Sequence, residues 1–325
     1  MIVIGCKLCG HLKSKYKHMK NRGLLLVLII ASLFINSCVS QKKTTLNAPK
    51  DIRDTFVYIH EGIAILNSDT IAVNSFWMSK YELTNGEYLD FLEDLKSRGL
   101  DTEYSKALPD TAQWKKQSSY GKSLTDNYLR HPAYKNYPVV NISHESAKLF
   151  CEWLTEKYNN NSENENRYIF RLPTHYEWLN AAQAGKNRPY SWNSIYLREI
   201  NGAFRTNFKH IPNEILTIDK ETQRPAIAKY TQGNIAFFKT DEKGEMGTNI
   251  TITAPVDSYN AGISGTYNMN GNVAEMIDEK GLAVGGSWNC LGFDVQNTSV
   301  LEYEKPSPFI GFRIIMTVET CMINL

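Results

Sequence analysis

Apolar residues recur at helical spacing in three segments of the chain, and each segment begins directly after a residue that can cap a helix. Two of the starts are capping boxes, in which a hydroxyl and a carboxylate satisfy backbone N–H groups at the first turn. The two boxes are Thr84 with Glu87, and Thr174 with Glu177. Ser143 opens the other segment. The pattern therefore predicts three amphipathic helices, and the one that follows Thr174 is expected to end near Gly185.

The rest of the chain carries shorter patterns. Segments 55–59 and 311–318 are rich in β-branched and aromatic residues, which predicts strands. Segment 159–166 is polar and predicts a solvated loop, whereas 209–250 is the least patterned part and predicts a long, partly irregular insertion. A few helices, short strands and many loops favour an irregular α+β fold. We expect one domain over residues 55–318, followed by a tail at 319–325.

The N-terminus has the pattern of a secretory signal. The first 37 residues hold six basic and no acidic residues, and the apolar run 24–35 is shorter than the roughly 20 residues that span a bilayer. The run ends in Ile-Asn-Ser-Cys, which resembles a lipobox whose cysteine, Cys38, takes the lipid. We expect residues 1–37 to be the signal peptide, with the true start at Met19, and 38–54 to be a polar tether. A plain membrane anchor with an unmodified Cys38 is the alternative.

Charge excludes one class of function. The whole chain has a net charge of +2, but the basic excess belongs to the signal. Without its six basic residues, 30 basic and 34 acidic residues remain, for a net charge of −4. A nucleic-acid partner is therefore not expected. The histidines do not fall at metal-ligand spacing, and we expect His175, at a helix start, to lie at the surface.

Taken in order, the patterned segments resemble the formylglycine-generating enzyme or sulfatase-modifying factor family. The segments that carry the resemblance are 76–88, 137–143, 171–178, 254–259, 265–275, the Gly-Gly-Ser-Trp at 285–288 and the Gly-Phe-Arg at 311–313. Their order along the chain makes the set specific, although no single segment is decisive. The resemblance implies the irregular fold of that family, which is related to C-type lectins.

A narrower resemblance is to the gliding-motility lipoproteins of the same family. It rests on segments 107–111, 131–134, 196–198, 202–204 and 207–209, together with Trp114. It implies a lipoprotein held at the outer membrane through its lipid anchor. The residues after Cys38, Val-Ser-Gln-Lys-Lys, include no acidic run, so we expect the protein to face the periplasm. Its partners would be the proteins of a gliding-motility or type IX secretion assembly, in which it would have a structural role.

The family's enzymes oxidise a substrate cysteine with copper held by two cysteine thiolates, and the resemblance places the first of these at Cys290. The second should stand at position 295, where this chain has Val295, which supplies no donor. Cys290 and Ser287 are the only matches to the family's active site. We therefore expect no bound copper and no formylglycine-generating activity. A copper-dependent oxidase of a protein cysteine and a lectin-like binding module remain alternatives.

The resemblance also implies calcium at the Asn-rich turn 268–275. By position, the ligands would be the side chains of Asn268 and Glu275 and the carbonyls of Gly271 and Val273, oxygen donors of the kind that calcium prefers. An Asn-rich turn held together by its own side chain-to-backbone hydrogen bonds is the alternative. A second calcium site would use Asn207 and Phe208. The resemblance also leads us to expect Cys151 to be a free core thiol, because its partner position holds Ile314.

The lipobox predicts a covalent modification that can be measured directly. Cells fed a clickable fatty acid should label the wild-type protein at Cys38, whereas Cys38→Ala should carry no label, because the thiol that accepts the lipid is gone. Equal labelling of the two proteins would contradict lipidation and favour the plain anchor.

Overall fold

The computed structural model describes residues 48–116, 121–160, 166–209, 214–218, 225–229 and 252–320. The chain divides into two units, Met1–Lys50 and Asp51–Leu325. Only residues 48–50 of the first unit are described, so the predicted signal peptide, Cys38 and most of the tether lie outside the described residues. Within the described ranges, no helix has both the length and the apolar character needed to cross a bilayer.

Six α-helices occur in the described residues: α1 Lys50–Thr55, α2 Asn85–Ser97, α3 Asp101–Ala107, α4 Gly121–Asn127, α5 His144–Asn160 and α6 His175–Gln183. Short 3₁₀ helices cover Thr111–Lys116, Pro132–Tyr134 and Gly292–Val295. Helix α1 shows that the domain begins earlier than residue 55. The sequence predicts that residues 51–54 belong to the tether, but they lie in the second unit, and Ile52 is buried.

Both predicted capping boxes are confirmed. Thr84 Oγ1 accepts from Glu87 N, and the Glu87 carboxylate accepts from Thr84 N at 2.8 Å. The same two bonds form between Thr174 and Glu177 at the start of α6. Ser143 Oγ accepts from the backbone N–H three residues on, as expected for the start of α5. Helix α6 ends as predicted: Ala184 has a left-handed φ of 46° and Gly185 follows with a φ of 76°.

The largest sheet is antiparallel and has the strand order β1-β4-β12-β5. Its strands are β1 Phe56–Ile59, β4 Phe76–Ser79, β12 Ile315–Thr320 and β5 Asn166–Arg171. The C-terminal strand is thus central, because Ile315 pairs with Met78 on one side and with Arg171 on the other. The predicted tail starts two residues too early, since β12 continues to Thr320, and residues 321–325 lie outside the described ranges.

A second, smaller sheet has the order β10-β9-β8-β11, in which β11 runs parallel to β8. Its strands are β8 Ala274–Met276, β9 Leu282–Val284, β10 Val300–Glu302 and β11 Ile310–Phe312. The prediction of one strand over 311–318 is wrong, because β11 ends in this sheet and β12 begins in the other. Arg313 and Ile314 connect the two sheets, and both side chains are buried.

Two hairpins complete the described fold. Strands β2 Gly62–Leu66 and β3 Asp69–Val73 pack on α6, where the Gln183 amide bonds both the N–H and the C=O of Ile65. Strands β6 Glu214–Ile218 and β7 Pro225–Lys229 pair within segment 209–250, for which the sequence predicts a partly irregular insertion. Two short strands are compatible with a partly irregular insertion, although the weak local pattern did not predict them.

Candidate functional site

The side chains of Arg313 and Glu275 form an ion pair in the centre of the domain, where they are 0% and 1% exposed. Arg313 Nε donates to one oxygen of Glu275 at 2.7 Å, and Nη2 donates to the other at 2.6 Å. The remaining guanidinium hydrogens go to backbone carbonyls, those of Ser79 and Lys80 at 3.0 Å and that of Tyr267 at 2.6 Å. A buried charge is stable only when it is paired and its other hydrogens are bonded, and Arg313 meets both conditions.

The pair links elements that are far apart in sequence. Arg313 lies between the two sheets, Glu275 lies in β8, and Ser79 ends β4. Trp178 of α6 adds a third bond to Glu275, because its indole N–H donates to the carboxylate at 2.7 Å. Both sheets and α6 therefore meet at this ion pair.

The Asn-rich turn before β8 requires an unusual backbone. Asn268, Gly271 and Asn272 have φ angles of 51°, 79° and 60°, in the left-handed region that Asn and Gly adopt most readily. At Gly271 a side chain is also excluded by space, since a Cβ would lie 2.4 Å from the carbonyl oxygen of Asn207. The turn thus brings the Asn207 segment into direct contact with the residues that lead to Glu275.

The amides of the turn mostly bond to other segments. Asn270 accepts from Ser191 N at 2.8 Å and donates to Val295 O and to Asn297. Asn272 accepts from Ala254 N at 2.7 Å, and its own N–H donates to Asn207 O. The turn is therefore the point at which several loops are joined, which differs from a turn that is held together only by its own residues.

A second buried carboxylate, that of Glu82, faces this turn. Its oxygens accept from the amides of Asn268 and Asn272, each at 2.9 Å. Burial raises the pKa of Glu82 to about 8, and repulsion from Glu275 also raises it, while the charge of Arg313 and the two amide bonds lower it. Two carboxylates thus share one guanidinium, so the cluster would be net negative with both ionised. Sequence reasoning missed Glu82 and Arg313, although both lie in segments that carry the family resemblance.

The candidate calcium ligands can be tested against this geometry. The Oδ1 atoms of Asn268 and Asn207 are buried and have no hydrogen-bond partner among the described residues. Glu275 accepts three N–H bonds, which leaves about one of its four lone-pair positions. Unpartnered amide oxygens beside two carboxylates that share one guanidinium suit a hard cation. The residues present therefore fit calcium, with Asn268 as the side chain whose oxygen has no other partner and Glu275 able to add one oxygen.

Other metal centres find less support. No group of three or more His, Cys, Asp or Glu side chains in the described ranges could hold a metal. His175 is not a surface residue as expected: it is only 9% exposed, and desolvation lowers the pKa of its imidazole. Its backbone N–H donates to the Glu279 carboxylate, so the loop after β8 covers the start of the helix.

The predicted copper position is an apolar cluster. Cys290 packs against the buried side chains of Tyr190, Phe204, Phe208 and Val295, and Val295 is fully buried. Ser287 Oγ lies 3.3 Å from Cys290 Sγ. Among the described residues of this cluster, Cys290 therefore supplies the one sulfur atom, and its neighbours are a hydroxyl and hydrocarbon side chains.

Cys151 lies apart, in helix α5, as a buried thiol without a disulfide, and burial raises its pKa far above the usual value. This confirms the expectation of a free core thiol.

Comparison with known proteins gives a consistent result. The model of the "Sulfatase-modifying factor enzyme 1-like domain" family matches residues 49–318. The formylglycine-generating enzyme of Mus musculus is 23% identical over 64% of this chain and 50% of its own length. That of Thermomonospora curvata is 28% identical over 50% of this chain and 38% of its own length. The chain thus spans about half the length, or less, of these curated relatives.

Among solved structures, CarF aligns with a TM-score of 0.50 and 15% identity, and the alignment covers 80% of this chain and 97% of that one. This likeness concerns the fold alone. It agrees with the α+β architecture of few helices, short strands and many loops that the sequence predicted.

The raised pKa of Glu82 predicts how stability depends on pH. A carboxyl whose pKa rises from 4.5 to about 8 on folding holds its proton more tightly when folded, so its contribution becomes increasingly unfavourable between these pH values and constant above them. We expect the free energy of unfolding, measured in chelator, to fall by several kcal/mol over this range, at about 1.4 kcal/mol per pKa unit. In Glu82→Gln this decline should be much smaller, and in the exposed control Glu304→Gln it should be unchanged. Parallel pH profiles for wild type and Glu82→Gln would disprove the assignment.

Proposed function

Since the chain belongs to the sulfatase-modifying factor enzyme 1-like domain family, we propose that it is a non-catalytic lipoprotein of that family. In this proposal, a lipid on Cys38 holds it at the outer membrane, facing the periplasm. The domain acts as a structural component of a gliding-motility or type IX secretion assembly. The observation that carries the non-catalytic assignment is the buried Val295 in the cluster that surrounds Cys290.

Copper chemistry of the family's kind does not fit this cluster. Two thiolates favour Cu(I) because both are soft donors, whereas one thiol beside a serine hydroxyl and hydrocarbon side chains offers a single soft ligand. Replacing a cysteine by Val295 is compatible with the surroundings, because Tyr190, Phe204 and Phe208 already make them apolar. The cluster therefore supports packing and argues against a formylglycine-generating oxidase.

The proposed place of the protein rests on sequence features. The lipobox at Cys38 supports membrane attachment, and the segments shared with gliding-motility lipoproteins support a motility or secretion assembly. Two of those segments, 196–198 and 202–204, pair in the structure, since Arg205 N bonds Leu197 O and Glu199 N bonds Ala203 O. They therefore form one structural unit at the surface, beside the Cys290 cluster.

Calcium is proposed as a structural ion at the turn. Asn268 and Glu275 would contribute side-chain oxygens, and Gly271 and Val273 would contribute carbonyls. The buried, unpartnered Oδ1 of Asn268 supports this site, and so does the excess of carboxylate over guanidinium around it. The equally unpartnered Oδ1 of Asn207 supports a second site with the carbonyl of Phe208. A bound dication would supply positive charge and so stabilise the ionised carboxylates.

Calcium can be tested with two asparagines of the same turn. If Asn268 is a ligand, a chelator should lower the melting temperature of the wild type, since an ion at a hundredfold excess over Kd stabilises by about 2.7 kcal/mol. Asn268→Ala should lose most of this response. The control Asn270→Ala removes an equally buried amide whose contacts are all within the protein, so it should destabilise the domain yet keep the chelator response. A wild type that melts identically with and without chelator would exclude calcium.

The non-catalytic assignment predicts the behaviour of position 295. The wild type should bind Cu(I) weakly and leave a sulfatase-type cysteine peptide unoxidised, while Val295→Cys should bind Cu(I) at least about tenfold more tightly, because a second thiolate is restored. In a strain that lacks the protein, Cys290→Ser should restore motility or secretion as well as the wild type does. Peptide oxidation by the wild type that is lost in Cys290→Ser would overturn the proposal and identify an enzyme.

A further inference from the structure

One face of the domain exposes an unusual number of apolar side chains. Ten large apolar residues in the described ranges are more than a third exposed, and half of them lie in two short stretches, 195–200 and 291–293. Tyr196 is 69% and Phe293 77% exposed. We call the surface formed by residues 192–209 and 288–297 the Trp192 face. Concentrated exposed apolar surface marks interaction sites more often than single exposed residues do.

The two stretches of the Trp192 face are held against each other by a packed layer. The rings of Tyr190 and Trp192 stack at 4.8 Å, and Tyr190 donates to the carbonyl of Gly292 at 3.1 Å. Leu197 packs closely on Gly292, since a Cβ added at Gly292 would lie 2.4 Å from the Leu197 side chain. Lys209 N donates to Cys290 O at 2.8 Å. The exposed side chains therefore stand on a preformed base, which reduces the entropy that binding would cost.

The charges on the face are mixed but mostly positive. Arg198 and Lys209 are exposed, and Arg205 is 25% exposed and pairs with Glu199 at 2.7 Å. The guanidinium groups also lie over aromatic rings, that of Arg198 at 4.1 Å from Phe204 and that of Arg205 at 5.9 Å from Trp192. Apart from Glu199, the face has one acidic residue, Asp294, so it is locally basic on a chain that we expect to be net negative when mature.

We propose that the Trp192 face binds an acidic segment of a partner protein that also carries apolar side chains. Aromatic residues and arginine are the residue types enriched at protein interfaces, and arginine binds carboxylates through a planar fork. The proposal rests on the proposed function, since it gives the assembly component a contact surface. It does not depend on which assembly that is.

The mixed charge favours a peptide over a membrane as the occupant. A bilayer presents a uniform layer of anionic headgroups, which Glu199 and Asp294 would repel, so that much of the attraction from the three basic side chains would be cancelled. A peptide can place each carboxylate opposite one basic group and leave the acidic positions of the face uncontacted. Its apolar side chains can meanwhile cover Tyr196 and Phe293.

The test selects peptides from a random library displayed on phage, using the protein purified from cells. We expect enriched peptides with an excess of Asp and Glu and at least one aromatic or aliphatic residue. Binding of these peptides, as synthetic compounds, should weaken roughly tenfold in Phe293→Ser and in Lys209→Glu. It should also weaken with salt, because exposed charges are screened.

Two matched variants control for general loss of apolar surface or charge. Ile63→Ser removes a 52% exposed side chain from β2, and Lys305→Glu reverses an exposed charge elsewhere, so both should bind as the wild type does. Enriched peptides without an acidic excess, or equal binding to Phe293→Ser and wild type, would overturn the proposal. So would loss in Phe293→Ser of binding to vesicles that contain an anionic phospholipid, which would identify a membrane contact. Because the assay measures neither motility nor copper binding, its failure is distinguishable from failure of the complementation and copper experiments.

Discussion

The buried pair of Arg313 and Glu275 is the interaction on which the rest of the domain depends. Every donor of the guanidinium is used, and the bonds end on β4, on β8 and on the segment before the Asn-rich turn. Removing one partner of such a pair leaves an uncompensated buried charge, at a cost of about 3–5 kcal/mol. The irregular parts of the fold can remain ordered because three elements converge on this single contact. A domain with few long strands has few backbone ladders, so it needs side-chain bonds of this kind to join its loops.

Sequence alone predicts the local features of this domain well. The two capping boxes and the left-handed end of α6 are confirmed because each depends on residues within four positions of one another. The same local reasoning failed where the outcome depends on distant residues. Segment 311–318 has the composition of one strand. In the fold, however, Arg313 lies between β11 and β12, and the two strands belong to different sheets. His175 is at a polar helix start, yet the loop after β8 covers it.

The site shows the same limit. Candidate ligands could be placed at Asn268 and Glu275 because a short motif carries them, but Glu82 lies 186 residues before Asn268 in sequence and meets it only in the fold. Periodicity cannot reveal such a pair. The structure also changes the role expected of Glu275. Its carboxylate already accepts hydrogen bonds from Arg313 and Trp178, so little of it remains to bind an ion. Motif and contacts together, rather than the motif alone, determine which oxygens are available.

The interactions that hold the fold and the residues that would carry chemistry are largely separate. Glu82, Glu275 and Arg313 lie in a polar network, whereas Cys290 and Val295 lie in an apolar cluster. Asn270 connects the two groups, because its side-chain amide donates a hydrogen bond to the backbone carbonyl of Val295. A backbone contact does not depend on which side chain stands at position 295. A valine can therefore occupy the position of a catalytic cysteine while the turn, the ion pair and the sheets keep their contacts. Under the proposed function, this separation would allow a member of the family to lose the copper site and still keep the domain as a contact surface.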